Sequence, residues 1–418
     1  MAVKRGVQAR DQTIRAYHTF NRLLRWTLGK SLAFMYRLKP EGLDILKKTS
    51  PPYLILANHG NFWDPFFIGS CVSRPVYYVT SDAQFRHPLM RFLLGLVGSI
   101  PKTKMISDFE TVRQIMRIRQ RRGVIGIFPE GRRTWDGHTL PVLFPTAKLI
   151  KLLKIPVIIV LLKGSYLSLP RWTKRRRKGE VAIKFNLGLS LEEIKELSVE
   201  KIHQKLVRLL EYDEFEFQRE HMIAFSGRSR AEFLERVLFI CPHCRTLGKL
   251  HSRRSRFFCR RCGYVTYYNR FGFFERRSQR LYFDTIREWN LWQLAHLKNL
   301  LVSLKAQGVV GPVFRDRQVL AFTGYRRIRL RRPRFGNMVL FVDRVEFNPL
   351  NLRKIVFPIA ELAGVNVQNN GALEFYAGGI LYSFRFLNER TSSYKWMNAL
   401  NLLKQGETSE SFKRSNTG

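Results

Sequence analysis

Five short apolar runs alternate with helical segments between Pro51 and about Asn186, and no other feature of the chain restricts its fold as tightly. The runs are Tyr53–Ala57, Val76–Thr80, Val124–Phe128, Pro156–Leu162 and Val181–Leu187. Stretches such as Pro88–Gly98 and Asp108–Arg122 lie between them with helical spacing. A continuously apolar strand needs cover on both faces, and connecting helices supply it. The pattern therefore predicts an α/β domain at 41–220, a mostly parallel sheet covered by helices. Leu191–Glu220 reads as polar helix closing this domain.

Two polar blocks leave strand ends. Asn58-His59-Gly60-Asn61-Phe62-Trp63-Asp64 follows the first run, and α/β sheets place active sites beyond the carboxyl ends of their strands. The five-residue offset lets one helical turn return Asp64 to the imidazole. A carboxylate there fixes the tautomer and stabilises the imidazolium. The third run enters Phe128-Pro129-Glu130-Gly131-Arg132-Arg133-Thr134. Glycine permits close backbone approach, and two arginines with a hydroxyl suit a phosphate.

Together these blocks resemble the glycerolipid acyltransferase family, in particular its lysophosphatidic acid acyltransferases. Asn58, His59 and Asp64 match the family's N-H-x-x-x-x-D block. Phe128, Pro129, Glu130, Gly131 and Arg133 match F-P-E-G-T-R-S, with Thr134 in the serine place and Arg132 where threonine is usual. Gly98–Lys104 is similar to the intermediate block, with Lys104 in the place of a basic phosphate contact and Lys102 as its neighbour. Ile155-Pro156-Val157-Ile158 resembles the fourth block, so the resemblance covers about residues 40–215. It implies His59 and Asp64 as the catalytic pair, with Lys104, Glu130, Gly131, Arg133 and Thr134 on the acceptor phosphate. It also implies direct transfer, without a catalytic cofactor, from acyl-coenzyme A or acyl carrier protein to the sn-2 hydroxyl of lysophosphatidic acid. Glycerol 3-phosphate or another lysophospholipid is the alternative acceptor. Cys71 reads as a small buried residue rather than a nucleophile.

Cys241-Pro242-His243-Cys244 and Cys259-Arg260-Arg261-Cys262 stand 14 residues apart. That spacing predicts a structural zinc held by Cys241, Cys244, Cys259 and Cys262 in a zinc-ribbon-like unit at 236–269. His243 and His251 read as bystanders, and thiol pairs of this kind imply a reducing compartment. A helical linker is expected at 270–308. From 309 to 405, short strands with glycine and asparagine turns precede a helix at Ser392–Leu403, predicting a β-rich domain that resembles pleckstrin-homology and GRAM domains. The tail 406–418 is expected to be disordered.

Charge bounds the partners. Lys and Arg number 73 against 32 Asp and Glu, a formal net charge of +41. Charge of that size repels itself in a compact chain and implies polyanionic surroundings. An anionic phospholipid membrane is the expected partner, with acyl carrier protein as a second acidic one. Residues 1–40 interleave Trp26, Leu28, Phe34 and Met35 with Arg22, Arg25, Lys30 and Arg37, as interfacial amphipathic helices do. No run of about 18 uncharged apolar residues occurs. The expectation is peripheral or monotopic association on the cytoplasmic face. Arg171–Lys178, with Trp172 at the interface, is one expected headgroup-facing patch; Arg326, Arg327, Arg329, Arg331, Arg332 and Arg334 form another. A zinc-ribbon nucleic-acid-binding protein is the competing class. Nucleic acid gives no reason for the blocks at His59 and Glu130, and is not expected as a partner.

Overall fold

The computed structural model describes residues 18–102, 109–276, 280–325, 329–350, 352–368 and 371–415, with the backbone alone after 405. The chain forms two compact units. The first runs to Arg230 and includes Arg270–Phe273; the second takes Ala231–Asn269 and the chain from Phe274 onward.

The first unit is built on seven strands: β1 (Leu38–Glu41), β2 (Leu54–Ala57), β3 (Val76–Ser81), β4 (Ile100–Lys102), β5 (Val124–Ile127), β6 (Val157–Lys163) and β7 (Val181–Leu189). Their order is β1-β7-β6-β2-β5-β3-β4. Neighbours are parallel throughout except β6 and β7. Side chains of a strand alternate between faces, and β2 shows what that requires here. Leu54 and Leu56 enter one core with Ile150, Ile202 and Leu206. Tyr53, Ile55 and Ala57 enter the other with Leu32, Phe67 and Ile68. Both faces are thus covered by helices, as the apolar runs predict. Edge strands β1 and β4 carried no signal, since Leu-Lys-Pro-Glu and Ile-Pro-Lys are short, polar and contain proline.

The second unit holds a four-stranded antiparallel sheet of β8 (Leu250–Arg253), β9 (Arg256–Cys259), β10 (Val265–Tyr268) and β11 (Phe274–Glu275). It also holds a seven-stranded one: β12 (Phe314–Gly324), β13 (Arg331–Leu340), β14 (Arg344–Pro349), β15 (Ile355–Pro358), β16 (Ala363–Gln368), β17 (Ala372–Ala377) and β18 (Ile380–Phe386). Its order is β15-β14-β13-β12-β18-β17-β16, antiparallel throughout. The helix Ser393–Ser415 closes it. Trp396 is fully buried, and its indole N–H donates to Asp316 at 2.8 Å. The stretch expected as a linker contains the 21-residue helix Ile286–Ala306, which buries Trp289, Gln293, Leu297 and Leu301 within this unit. The final helix passes Leu403 and runs to Ser415. Gly406 costs a helix interior only about 1 kcal/mol and does not end it.

Candidate active site

β2 hands the chain to a loop tied at every step. Asn58 bonds both ways with Leu162 on β6, accepting its N–H at 2.8 Å and donating to its carbonyl at 3.1 Å. Gly60 passes so close to Tyr166 that a Cβ would stand 2.9 Å from its amide nitrogen. Asp64 opens the helix Asp64–Cys71 and is fully buried. Its Oδ2 accepts from His59 Nδ1 at 2.8 Å, Gly60 N–H at 2.9 Å and Asn61 N–H at 2.8 Å. Its Oδ1 accepts from the Ser165 hydroxyl at 2.5 Å. A carboxylate accepting at Nδ1 fixes the proton there and leaves Nε2 as the basic atom. The imidazole stacks on Phe128, with ring centres 4.1 Å apart and planes 21° from parallel. Burial holds its pKa below the ordinary histidine value. Asp64 opposes that shift, and Arg133 and Arg171 add to it. His59 is therefore neutral, and a proton acceptor, at neutral pH.

The loop after β5 is laced to the first. Glu130 is buried and spends both oxygens on backbone, accepting His59 N–H at 2.7 Å and Leu140 N–H at 2.8 Å. Burial pushes its pKa up to about 8. Gly131 turns the chain at φ +68°, where a side chain would be strained. Thr134 N–H donates to His59 O at 3.0 Å. The Thr134 hydroxyl donates to Asp136 at 3.1 Å and accepts from Gly137 N–H at 3.2 Å. Glu130 and Thr134, expected on phosphate, also tie the two loops together, Glu130 through His59 N–H and Thr134 through its own N–H on His59 O, while the Thr134 hydroxyl bonds within its own loop. Arg133 stands where His59 and Asp64 feel its charge. Burial lowers its pKa to about 10, which leaves it cationic at neutral pH. Lys104 lies outside the described residues. Lys102 ends β4, three strands from β2 or roughly 14 Å across the sheet. Cys71 is half-buried, and burial raises its pKa, as befits a packing residue.

The patch expected at Arg171–Lys178 is corrected by the structure. Trp172 is fully buried, its N–H donating to the Tyr166 hydroxyl at 3.0 Å. Arg177 is buried over the Trp172 ring and donates to Leu167 and Arg230 carbonyls. Arg171 is buried over the Trp135 ring at 4.4 Å and donates to Arg133 O at 3.3 Å. Planar guanidiniums stack on indoles and bond carbonyls, so arginine-rich sequence need not be solvated. Only Lys174, Arg175 and Lys178 of this run are exposed. Sequence reading missed Ser165 and the site-facing charge of Arg171, both of which arrive from the chain after β6.

In the second unit the Sγ atoms of Cys241, Cys244, Cys259 and Cys262 all lie within 4.8 Å of one another. Cys241–Cys262 and Cys244–Cys259 are each 3.7 Å apart. Tetrahedral zinc with bonds of about 2.3 Å separates its sulfurs by about 3.8 Å, so the donor set fits that ion. Each knuckle is followed by a left-handed residue, Arg245 at φ 57° and Gly263 at φ 74°. His243 bonds the Tyr282 hydroxyl at 2.9 Å and His251 bonds Arg260 at 3.1 Å, so both stand apart from the cluster.

A buried Asp64 bonded to His59 lies beyond the carboxyl ends of a mostly parallel, helix-covered sheet, which is where α/β folds place their sites. Residues 37–163 match the family model described as Acyltransferase. The chain is 22% identical over 162 residues to the chloroplastic 1-acyl-sn-glycerol-3-phosphate acyltransferase BAT2 of Brassica napus, covering 38% of this chain and 46% of that one. It is 24% identical over 130 residues to the chloroplastic 1-acyl-sn-glycerol-3-phosphate acyltransferase LPAT1 of Arabidopsis thaliana, covering 31% and 36%. The chain thus spans less than half the length of these two curated relatives. The crystal structure of the 1-acyl-sn-glycerophosphate (LPA) acyltransferase PlsC from Thermotoga maritima aligns with a TM-score of 0.38 and 18% identity, covering 48% of this chain and 77% of that one. Over residues 37–163 the α/β domain is thus similar to acyltransferases of this kind.

Proposed function

We propose that the chain transfers a fatty acyl group from a thioester to the sn-2 hydroxyl of lysophosphatidic acid, giving phosphatidic acid. The observation that carries this reading is the His59–Asp64 bond of 2.8 Å beside the charges of Arg133 and Arg171. His59 Nε2 takes the proton of the acceptor hydroxyl as its oxygen attacks the thioester carbonyl. The tetrahedral intermediate collapses, the carbon–sulfur bond breaks, and the leaving thiolate receives that proton from the imidazolium. Arg133 holds the acceptor phosphate by charge-assisted bonds. The deciding experiment offers the purified protein lysophosphatidic acid or glycerol 3-phosphate, each with acyl-coenzyme A and with acyl-acyl carrier protein. Phosphatidic acid is the expected product. Acylation of glycerol 3-phosphate alone would replace the acceptor, and no transfer with any pair would overturn the reading.

Arg133→Ala is expected to raise KM for the phosphate acceptor about tenfold or more while changing KM for the thioester little. Measuring both constants checks it. A rise confined to the thioester would move the phosphate site elsewhere.

The membrane reading is supported by an apolar surface on the first unit. Residues 18–35 are helical, and Leu23, Trp26 and Phe34 are exposed there. Leu89 and Phe92 are exposed on the helix Pro88–Leu96, and Asn21 joins the two helices by donating to Leu96 O at 3.3 Å. No described helix is long and apolar enough to cross a membrane. Each basic residue at an anionic surface contributes about 1 kcal/mol, screened within roughly 8–10 Å at physiological salt, whereas apolar insertion resists salt. Vesicle sedimentation is expected to show binding weakened but not lost at high salt. Removal of residues 1–38 is expected to leave binding fully salt-sensitive. Equal binding to neutral and anionic vesicles at low salt would assign the charge another partner. Zinc in the four-cysteine site is likewise part of the proposal.

A further inference from the structure

The chain between β6 and β7 reaches back into the His59 loop at two points. Gly164 turns the chain at φ +78°, and Ser165–Ser168 forms one short helical turn with Ser165 and Ser168 fully buried. Asn61 holds this turn, its amide donating to Ser168 Oγ at 2.9 Å and Ser165 O at 3.3 Å. The same Asn61 accepts Trp63 N–H at 3.0 Å through Oδ1, so one side chain joins the turn to the loop. The Ser165 hydroxyl then donates to Asp64 Oδ1 at 2.5 Å. Oδ1 is the oxygen turned away from the imidazole, while Oδ2 serves His59 and two backbone amides.

We propose that Ser165 is a positioning residue of the acyl-transfer site, acting through Asp64 to set both the orientation and the basicity of His59. The physical reasoning has two parts. A carboxylate held on both oxygens has one rotamer, so the Nδ1 bond keeps one direction and Nε2 one aim. A donor on Oδ1 also draws charge from the carboxylate, which weakens its pull on an imidazolium. The other groups bearing on His59 come from separate elements: Arg133 after β5, Arg171 after the Ser165–Ser168 turn, and Glu130, which bonds the His59 backbone rather than its ring. None of them touches Oδ1 in the way Ser165 does, so removing the hydroxyl isolates one contribution. Its loss concentrates charge on Asp64, favours the imidazolium and moves the His59 pKa upward.

The proposal rests on the acyltransferase reading, and its test separates the two. Ser165→Ala is nearly isosteric. It is expected to lower kcat about tenfold at fixed KM for both substrates, the scale of one hydrogen bond to a charged group. It is also expected to shift the acid limb of kcat/KM to higher pH. Ser165→Cys, a weaker donor of similar shape, is expected to fall between wild type and Ser165→Ala in both respects, and it carries the test should Ser165→Ala lose the fold. NMR titration of the His59 ring gives a readout free of any substrate: its pKa is expected to rise in the order Ser, Cys, Ala. A wild-type protein that transfers no acyl group, with the His59 titration moving in that order, would overturn the acceptor reading and retain the positioning role. An unchanged His59 titration, or unchanged kcat in an active Ser165→Ala protein, would overturn the proposal.

Discussion

His59→Ala is expected to abolish acyl transfer while leaving the fold intact. A positioned general base contributes about 10²–10⁴-fold, and no other described group shares its placement beside Asp64. The fold survives because of how Asp64 is satisfied. Removing the imidazole takes away one of four donors, while Gly60 N–H, Asn61 N–H and Ser165 Oγ still compensate the buried carboxylate. The cost is then the lost stacking on Phe128 and a small void, at a side chain that is 18% exposed. Asp64→Asn is expected to be almost as severe in turnover, because the imidazole loses its orienting carboxylate charge. The fold should tolerate it, since an amide nitrogen in the Oδ1 place can donate to the Ser165 hydroxyl while the amide oxygen keeps the donors on Oδ2. In the wild-type protein, kcat/KM should rise with pH through the His59 pKa, with that limb below the ordinary value near 6.5, because burial and the two arginines favour the neutral ring. Turnover on lysophosphatidic acid, far-ultraviolet circular dichroism and metal content measured on one preparation check the set. Near-normal turnover by a folded His59→Ala protein would remove the base from the mechanism.

The parts legible in sequence are those where one local rule sufficed. Leu-Ile-Leu-Ala and Val-Ile-Gly-Ile are apolar on both faces and announce interior strands. His59 and Asp64 are five residues apart, so their contact needs only a loop and the start of a helix. Ser165 lies 101 residues from Asp64 in sequence, and no periodicity ties a lone serine after β6 to a carboxylate after β2. Their contact exists because β6 is the parallel neighbour of β2, so the two strand ends open side by side. Glu130 shows the same limit in another form. Its place in the block is plain from sequence, but its direction is not. Only the structure shows both oxygens turned onto backbone amides. Arg171 and Trp172 were misread because composition registers how many charges a run has, not which of them are stacked on an indole.

Stripping zinc is expected to unfold more than the cysteine knuckles, and the hydrogen-bond connections in the second unit say why. Ile240, just before the first knuckle, accepts the Trp289 indole N–H at 2.9 Å. Phe239 N–H donates to Gln293 at 2.8 Å, and Gln293 donates to Val237 O at 2.7 Å. Both side chains belong to the helix Ile286–Ala306, where Asn290 in turn donates to the Tyr394 hydroxyl of the closing helix at 3.1 Å. On the other side, Arg390 donates to Ser252 O and Oγ at 3.1 Å each, and pairs with Glu232 and Glu235. The arginine between β18 and the final helix is thereby fastened to β8. Apparent zinc binding to four-ligand structural sites amounts to about 10–16 kcal/mol, against about 5–15 kcal/mol for a whole domain. In a zinc-loaded chain, metal loss would therefore decide the fold of whatever depends on the knuckles. Chelation, or Cys259→Ser, is expected to release hydrogen-exchange protection at β8–β10 first and then along Ile286–Ala306 and the start of the final helix, with a large drop in Tm. Metal analysis of protein purified without chelator should give about one zinc per chain. Full protection of the closing helix after the metal is gone would show that the seven-stranded sheet stands without the ribbon. A metal content near zero in folded protein would remove zinc from the account.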